Sequence, residues 1–485
     1  FYWTRFNSII YLCYKYMYIF NIDLSNYQQD FSVSKEDKLE YGEIYTPFLQ
    51  INKMFDLFDP IVFTDSSKKW LDVGAGMGYF MIILFERLNN GLLKAMPDEN
   101  ERKTHIIENM LYMVEIKEGN IIALKEMFGE RANILHMNFC NYSYQVQGNS
   151  SRLPEHFDYI IGNPPYNSRG IKKVPTNTKI KKTQEGSTIW STFIMKSLGL
   201  LKQDTGKLCM IIPSIWLKQD KEQIHNLLTQ YKIEKLHCLT NTETNVLFKG
   251  EAQTPTCYFL LTKKKTDNKI LLFDKIKKTY EEFEHTIGQP IPVFGVSVIN
   301  KLQHWVKKVG YLSVKKTNMP SVKSKFIEKI NTKEYPYSNI KTCVLEKLQP
   351  VLLMNYSNTP QCYYGIKKLV LAHKMYGFPY FDRYGTYGIS NRDNYVIINK
   401  SDEEFMQLQA FLSTKFALYL FESARYRMKY LEKYAFEFIP DITRIDGFPD
   451  TKNISDESIA DFFKLSENDK LHIQQLHRKN YKNFL

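Results

Sequence analysis

The sequence lacks paired cysteines. Its seven cysteines, Cys13, Cys140, Cys209, Cys238, Cys257, Cys343 and Cys362, are odd in number, scattered and never spaced C-x-x-C. That usage speaks against a disulfide framework and against a zinc site, and it places the chain in a reducing, intracellular, cytoplasmic setting with no metal expected. Long apolar runs are missing as well. The N-terminal stretch "IIYLCYKYMYIF" is short, carries Lys15 and has no small-residue cleavage site, so it fits neither a membrane span nor a secretion signal and reads as a short packed helix. The chain begins with Phe1, so the reading leaves its true N-terminus open. There is no internal repeat and no low-complexity block. Acidic residues are outnumbered, 52 Asp+Glu against 65 Lys+Arg, and the net charge of +13 favours a polyanionic partner or an anionic surface, although it also accompanies ordinary Lys-rich composition.

What is present suits a folded protein. At 485 residues, with 44% hydrophobic and 14% aromatic side chains, the chain is long enough for two cores. Between about 70 and 260, short apolar stretches alternate with helical ones: "WLDVG", "NMLYMVE", "ANILHM", "FDYIIGNPP", "GKLCMIIP", "IEKLHCL" and "TCYFLLTKK". Strands separated by helix-length segments imply an α/β domain with a mostly parallel, Rossmann-like sheet, whose ligands sit beyond the carboxyl ends of the strands. After the charged "KKKTDNK" the text changes. From roughly 300 onward it becomes rich in Lys, Tyr and Asn, with Gly-aromatic loops and a helix opened by the capping box "SDEE" at Ser401. The expected organisation is an N-terminal segment over 1–35, a first domain over 36–290 and a second over 291–485.

The most telling stretch is "FDYIIGNPPYNSRG". Two prolines after an apolar strand remove backbone donors and hold the chain rigidly at the strand's end. Asn163 and the carbonyl of Pro164 then offer two acceptors, Pro165 keeps the turn extended, and Tyr166 offers an aromatic face. Together they suit a planar NH2 group on a flat heterocycle. The competing reading is a Pro-rich turn with a packed tyrosine.

A second constellation lies upstream. "WLDVGAGMGYF" sets Asp72, Gly74, Gly76 and Gly78 between a strand and a helix, where glycines allow a tight turn and close approach of a ligand to a helix N-terminus. Glu115 ends the next strand, where a carboxylate could accept from two ribose hydroxyls or simply lie exposed. Asn138 and Phe139 follow the third strand, placed to bond and stack against an adenine ring. Thr46 and Pro47 precede a helix.

In this order, "YTP", "DVGAGMG", Glu115, "NF" and "NPPY", the chain resembles the gamma-class N6-adenine-specific DNA methyltransferases, closely over roughly 40–262 and loosely beyond. The resemblance implies a class I methyltransferase domain followed by an α+β target-recognition domain, with double-stranded DNA as substrate and a partner endonuclease or accessory subunit compatible with it. It implies that Tyr45, Thr46, Pro47, Asp72, Gly74, Gly76, Glu115, Asn138 and Phe139 line an S-adenosyl-L-methionine site. It further implies that Asn163, Pro164, Pro165 and Tyr166 are catalytic and hold the target adenine, with Phe248 packing against it from another side. The family commonly has Asp where this chain has Asn138, so weakened or altered cofactor binding is expected.

The residues around the motif extend this reading. The loop after it carries Arg169, Lys172, Lys173, Lys179, Lys181 and Lys182, suited to phosphates beside a flipped base and equally to a solvated loop. In the second domain, "SARYRMKYLEKYAF" interleaves Arg425, Arg427, Lys429 and Lys433 with Tyr426, Tyr430 and Tyr434. The tyrosines at helical spacing read as packing, and the loop from Lys374 to Gly388 is an equally good reader of DNA. No cysteine lies beside the motif, which argues against cytosine-C5 chemistry. RNA or protein-amide methylation and a non-catalytic DNA-binding subunit remain the alternatives. "PDENERK" at 97–103 resembles a nuclease pattern superficially, but its spacing is too tight.

Overall fold

The computed structural model describes residues 44–141, 154–167, 188–220, 223–252, 254–346, 349–373, 379–426 and 431–476. The N-terminal segment 1–35 and the cationic loop with Arg169, Lys172, Lys173, Lys179, Lys181 and Lys182 lie outside the described residues. The chain divides into two compact units, the first closing at Ile270 and the second opening at Leu271, with Leu217–Gln219 counted with the second.

Each apolar stretch read as a strand forms one. They are β1 (Trp70–Asp72), β2 (Leu111–Glu115), β3 (Asn133–His136), β4 (Tyr159–Gly162), β5 (Lys207–Pro213), β6 (Tyr231–Leu239) and β7 (Thr256–Lys265). They lie in the order β3-β2-β1-β4-β5-β7-β6. Pairing is parallel from β3 through β5, and β7 runs antiparallel to both β5 and β6. Central strands β1, β2 and β4 are buried along their whole length, as strands covered by helices on both faces must be, which explains their unbroken apolar text. The reversal of β7 was not legible in its residues, because strand direction leaves no mark on a run that is buried either way.

The core is aromatic where β1 begins. Trp70 is fully buried, stacked on Phe63 at 5.6 Å between centroids and packed on Tyr159 at 4.1 Å. Upstream, Pro47 opens the helix Phe48–Phe55 with its fixed φ, and Gln50, Ile51, Met54 and Phe55 are its buried residues. "PDENERK" proves to be a helix start: Asp98 caps Glu99–His105 by accepting from the Glu101 N–H at 2.8 Å. Arg102 is buried, donating to Asn89 Oδ1 at 2.8 Å and the Met96 carbonyl at 2.7 Å. Its charges support the fold.

The second unit is α+β. After β7 the chain forms β8 (Lys269–Asp274) and β9 (Thr279–Glu284), and later strands make two four-stranded sheets with the orders β10-β17-β14-β15 and β11-β13-β12-β16. Their strands are β10 (Lys315–Lys316), β11 (Phe326–Ile327), β12 (Tyr337–Glu346), β13 (Gln349–Ser357), β14 (Lys368–Ala372), β15 (Tyr380–Asp382), β16 (Gly388–Ile389) and β17 (Asn394–Ile397). The helix Asp402–Leu412 opens on the expected capping box of Ser401 and Glu404. The tyrosine stripe is corrected. The preceding helix ends at Ser423, and Lys433–Phe438 is a separate 3₁₀ turn, so the described residues do not form one helical face. Tyr426 is nonetheless packed, buried with its hydroxyl on the Ile291 carbonyl at 2.8 Å. Among the described residues, all six cysteines are unbridged, no group of three or more His, Cys, Asp or Glu is placed to hold a metal, and no helix is long and apolar enough to cross a membrane.

Because Trp70 fills the space between Phe63 and Tyr159, Trp70→Ala is expected to lower unfolding stability by about 3–5 kcal/mol, read from urea unfolding curves. A loss below about 1 kcal/mol would contradict this account of the core.

Candidate active site

The site grows from the carboxyl end of β4. Gly162, its last residue, has φ 144°, a value open to glycine, and a Cβ there would meet Asp72 Oδ1 at 3.0 Å. Asn163, the next residue, donates from Nδ2 to Thr46 Oγ1 at 3.1 Å and toward the Ile44 carbonyl at 3.5 Å. A carbonyl can only accept, so the amide must turn its NH2 toward Ile44, and its oxygen faces the other way. That Oδ1 is buried without a protein partner, as is the hydroxyl of Tyr166. Burial pushes the Tyr166 phenol well above its ordinary pKa, so it stays protonated and can donate. Pro164 is buried and Pro165 half-buried.

Direct contacts link this turn to the glycine loop and beyond. β1 and β4 are paired with Asp72 opposite Ile161. Asp72 accepts from the Gly74 N–H at 3.2 Å, the Ala75 N–H reaches the Val114 carbonyl at 2.9 Å, and the Gly76 N–H reaches Glu115 Oε2 at 2.6 Å. Glu115 also accepts at Oε1 from the Ile116 and Lys117 N–H groups, at 2.9 and 2.8 Å, and its carbonyl receives the Met137 N–H at 2.8 Å. Thr46, Asn163, Asp72, Gly74, Gly76 and Glu115 thus form one connected wall over the ends of β4, β1 and β2.

Other expected residues take different posts. Tyr45 packs on Tyr79 at 5.2 Å between centroids. Asn138 is exposed, and its Oδ1 accepts from the Cys140 N–H at 2.9 Å, closing a local turn. Phe139 is buried against Phe193, with 5.2 Å between ring centroids, so much of its face is already covered. Phe248 follows the helix Asn241–Leu247 and is buried in the hydrophobic cluster that also holds Ala75 of the glycine loop. Sequence reasoning missed two groups. Gly162 carried a signal, a glycine between a buried strand and Asn-Pro-Pro. The Ile44 carbonyl, a backbone atom, carried none.

The wall fits a small polar ligand. A Cβ on Gly74 would meet nothing within 4 Å, so that glycine borders open space. Asp72 Oδ2 is buried and unpartnered, a second acceptor beside that of Asn163.

Burial drives the Asp72 carboxyl up from 3.8 to about 7, against the Gly74 N–H that favours its ionised form and helped by the Glu115 charge. Between these values the folded chain binds a proton that the unfolded chain has released, so the stability this group contributes falls as pH rises toward 7. Asp72→Asn is therefore expected to gain stability relative to the parent as pH rises from about 4 to about 7, read from urea midpoints. Parallel pH profiles for the two proteins would refute it.

Residues 70–245 match the family model described as Eco57I restriction-modification methylase. An uncharacterized adenine-specific methylase of Mycoplasma pneumoniae is 24% identical over 301 residues, covering 46% of this chain and 68% of that protein. Among solved structures, the type IIL restriction-modification enzyme MmeI, in complex with DNA, is 12% identical with a TM-score of 0.49, covering 91% of this chain and 76% of that one. A modification subunit assigned to a type I restriction enzyme of Vibrio vulnificus is 16% identical with a TM-score of 0.35, covering 55% of this chain. The chain spans 53% of the length of that subunit. Strand ends that carry the glycine loop, Glu115 and the Asn-Pro-Pro-Tyr turn all fall inside residues 70–245, the stretch that is similar to the Eco57I restriction-modification methylase family.

Proposed function

We propose that the chain is a site-specific DNA adenine N6 methyltransferase. The observation that carries this reading is the buried, unpartnered Oδ1 of Asn163, its amide oriented by Ile44 and Thr46 at the end of β4. A buried acceptor with no partner costs free energy in the resting protein, and an exocyclic NH2 would satisfy it.

Thr46, Asp72, the glycine loop and Glu115 would hold S-adenosyl-L-methionine, with Tyr45, Pro47, Asn138 and Phe139 at its margins. When bound, this cofactor supplies a methyl group already activated on a sulfonium. The chain then has to align an amine nitrogen and raise its electron density. Asn163 Oδ1 accepts one hydrogen of the target amine and the Pro164 carbonyl the other, which turns the nitrogen lone pair out of conjugation with the ring. Neither amide group is basic enough to carry off the proton that the nitrogen loses once its bond to the methyl forms and the sulfur–methyl bond breaks, so both act by hydrogen bonding and the proton would pass to solvent.

An adenine inside a duplex cannot reach a turn held this deeply. The base must be flipped, with the Tyr166 ring replacing the lost stacking; Phe248, expected from the sequence to pack against the base, is instead committed to the core. Arg169, Lys172, Lys173, Lys179, Lys181 and Lys182 belong to the same proposal as phosphate contacts, their loop springing from the bridge that pairs Asn167 with Thr188. The reaction suits a reducing cytoplasm, and a partner endonuclease or accessory subunit is compatible with it.

Labelled S-adenosyl-L-methionine offered with unmodified duplex DNA, RNA and protein should label DNA, as N6-methyladenine on nucleoside mass analysis. Asn163→Ala should reduce transfer by about 100-fold or more while cofactor affinity, by calorimetry, stays near that of the parent. Tyr166→Phe should retain most activity and Tyr166→Ala should lose it. Label in RNA or protein instead of DNA, or full transfer by Asn163→Ala, would defeat the assignment.

A further inference from the structure

The second unit holds a lysine in an unusual place. Lys368, the first residue of β14, has a side chain with no exposed surface. Its Nζ donates to Asp382 Oδ2 at 2.5 Å and to the carbonyls of Tyr387 at 2.6 Å, Tyr363 at 3.1 Å and Ile366 at 3.1 Å. Asp382 in turn accepts from the Thr386 and Tyr387 N–H groups, at 2.9 and 3.0 Å. One buried ion pair therefore ties two turns together, 361–366 and 383–387. The turns meet backbone to backbone: the Gly365 N–H reaches the Gly385 carbonyl at 2.8 Å, and a Cβ on Gly385 would lie 2.6 Å from backbone atoms of Gly365 and Ile366.

Stability alone does not call for this arrangement. A well-packed apolar pair commonly stabilises as much as a buried ion pair, which repays its desolvation chiefly by fixing geometry. Here the fixed geometry is that of two turn tips whose side chains point outward. Tyr384 is 85% exposed, Tyr364 41% and Ile366 43%. Beside them runs a basic strap. Gln361 Nε2 donates to Ser324 Oγ at 3.0 Å, and the Lys325 N–H to Asn358 Oδ1 at 2.9 Å, which sets the exposed Lys323 and Lys325 next to the tips.

An exposed tyrosine on a rigid support, flanked by cations, matches the chemistry of a duplex, whose grooves present base edges and whose phosphates attract lysine. We propose that the paired turns 361–366 and 383–387, with the strap at Lys323 and Lys325, form a duplex-DNA contact surface in which Tyr384 meets the bases and the lysines meet phosphates. This rests on the DNA substrate proposed above. Lys368 and Asp382 are positioning residues: they hold the tips and touch no DNA.

The full-length chain is tested with a mixed-sequence duplex across a salt series and with unmodified plasmid DNA as methyl acceptor. Lys323→Ala/Lys325→Ala should weaken duplex binding and reduce the slope of log affinity against log salt by about 2. Tyr384→Ala, a change at a solvent-facing tip, should lower the rate of transfer to plasmid by about tenfold or more with cofactor affinity and unfolding unchanged. Lys368→Met should act in the same direction on transfer. A parent that methylates DNA while both surface variants match it in salt slope and rate would overturn the surface and leave the activity standing. A parent that neither binds duplex nor labels DNA would overturn both.

Discussion

The candidate site depends on an atom that can only accept. The Ile44 carbonyl, with Thr46 beside it, takes the NH2 of Asn163 and so decides which end of the amide looks into the site. Were the amide reversed, two oxygens would face each other and a donor would point into the place proposed for the target amine. The prolines that follow add rigidity, and Gly162 before them lets the chain leave β4 beside Asp72 without a side chain in the way. Orientation of one planar group thus draws on a segment more than a hundred positions upstream, which is why "YTP" and "NPPY" belong to a single machine although they lie far apart in the text.

Much of this was readable from the residues. Buried parallel strands announce themselves as short apolar runs, and the glycine loop, Glu115 and the Asn-Pro-Pro-Tyr turn stand at their carboxyl ends, as the order of the text implied. What escaped reading shares a physical cause. Strand direction, the path of a backbone carbonyl and the choice of partner for a hydrogen-bonding group are decided by tertiary neighbours. The reversal of β7 is one instance and the Ile44 carbonyl another. Glu115 looked like a free acceptor for ribose, yet three backbone N–H groups already converge on it. Phe139 looked like a stacking face and is largely spoken for by Phe193. The tyrosine spacing of "SARYRMKYLEKYAF" promised one helix, but Ser423 ends the helix before the pattern begins.

The two buried carboxylates of the loop follow different rules despite their proximity. Glu115 is surrounded by donors, whereas Asp72 has a single N–H for one oxygen and nothing for the other. Keeping such a group dry costs stability, and in the proposed function the ligand would complete its bonding. The Lys368 and Asp382 pair in the second unit shows the opposite economy, every donor matched and the charge used as a rivet.

β4 lies in the middle of the seven strands of the first unit, flanked by β1 on one side and β5 on the other. Edge strands and loops open often and locally, while a central strand opens only when most of the sheet goes with it. The Asn-Pro-Pro-Tyr turn is rooted in that slowest-breathing position. Its amide would keep its aim through the fluctuations that loosen the edges of the sheet, and the proposed chemistry needs that constancy.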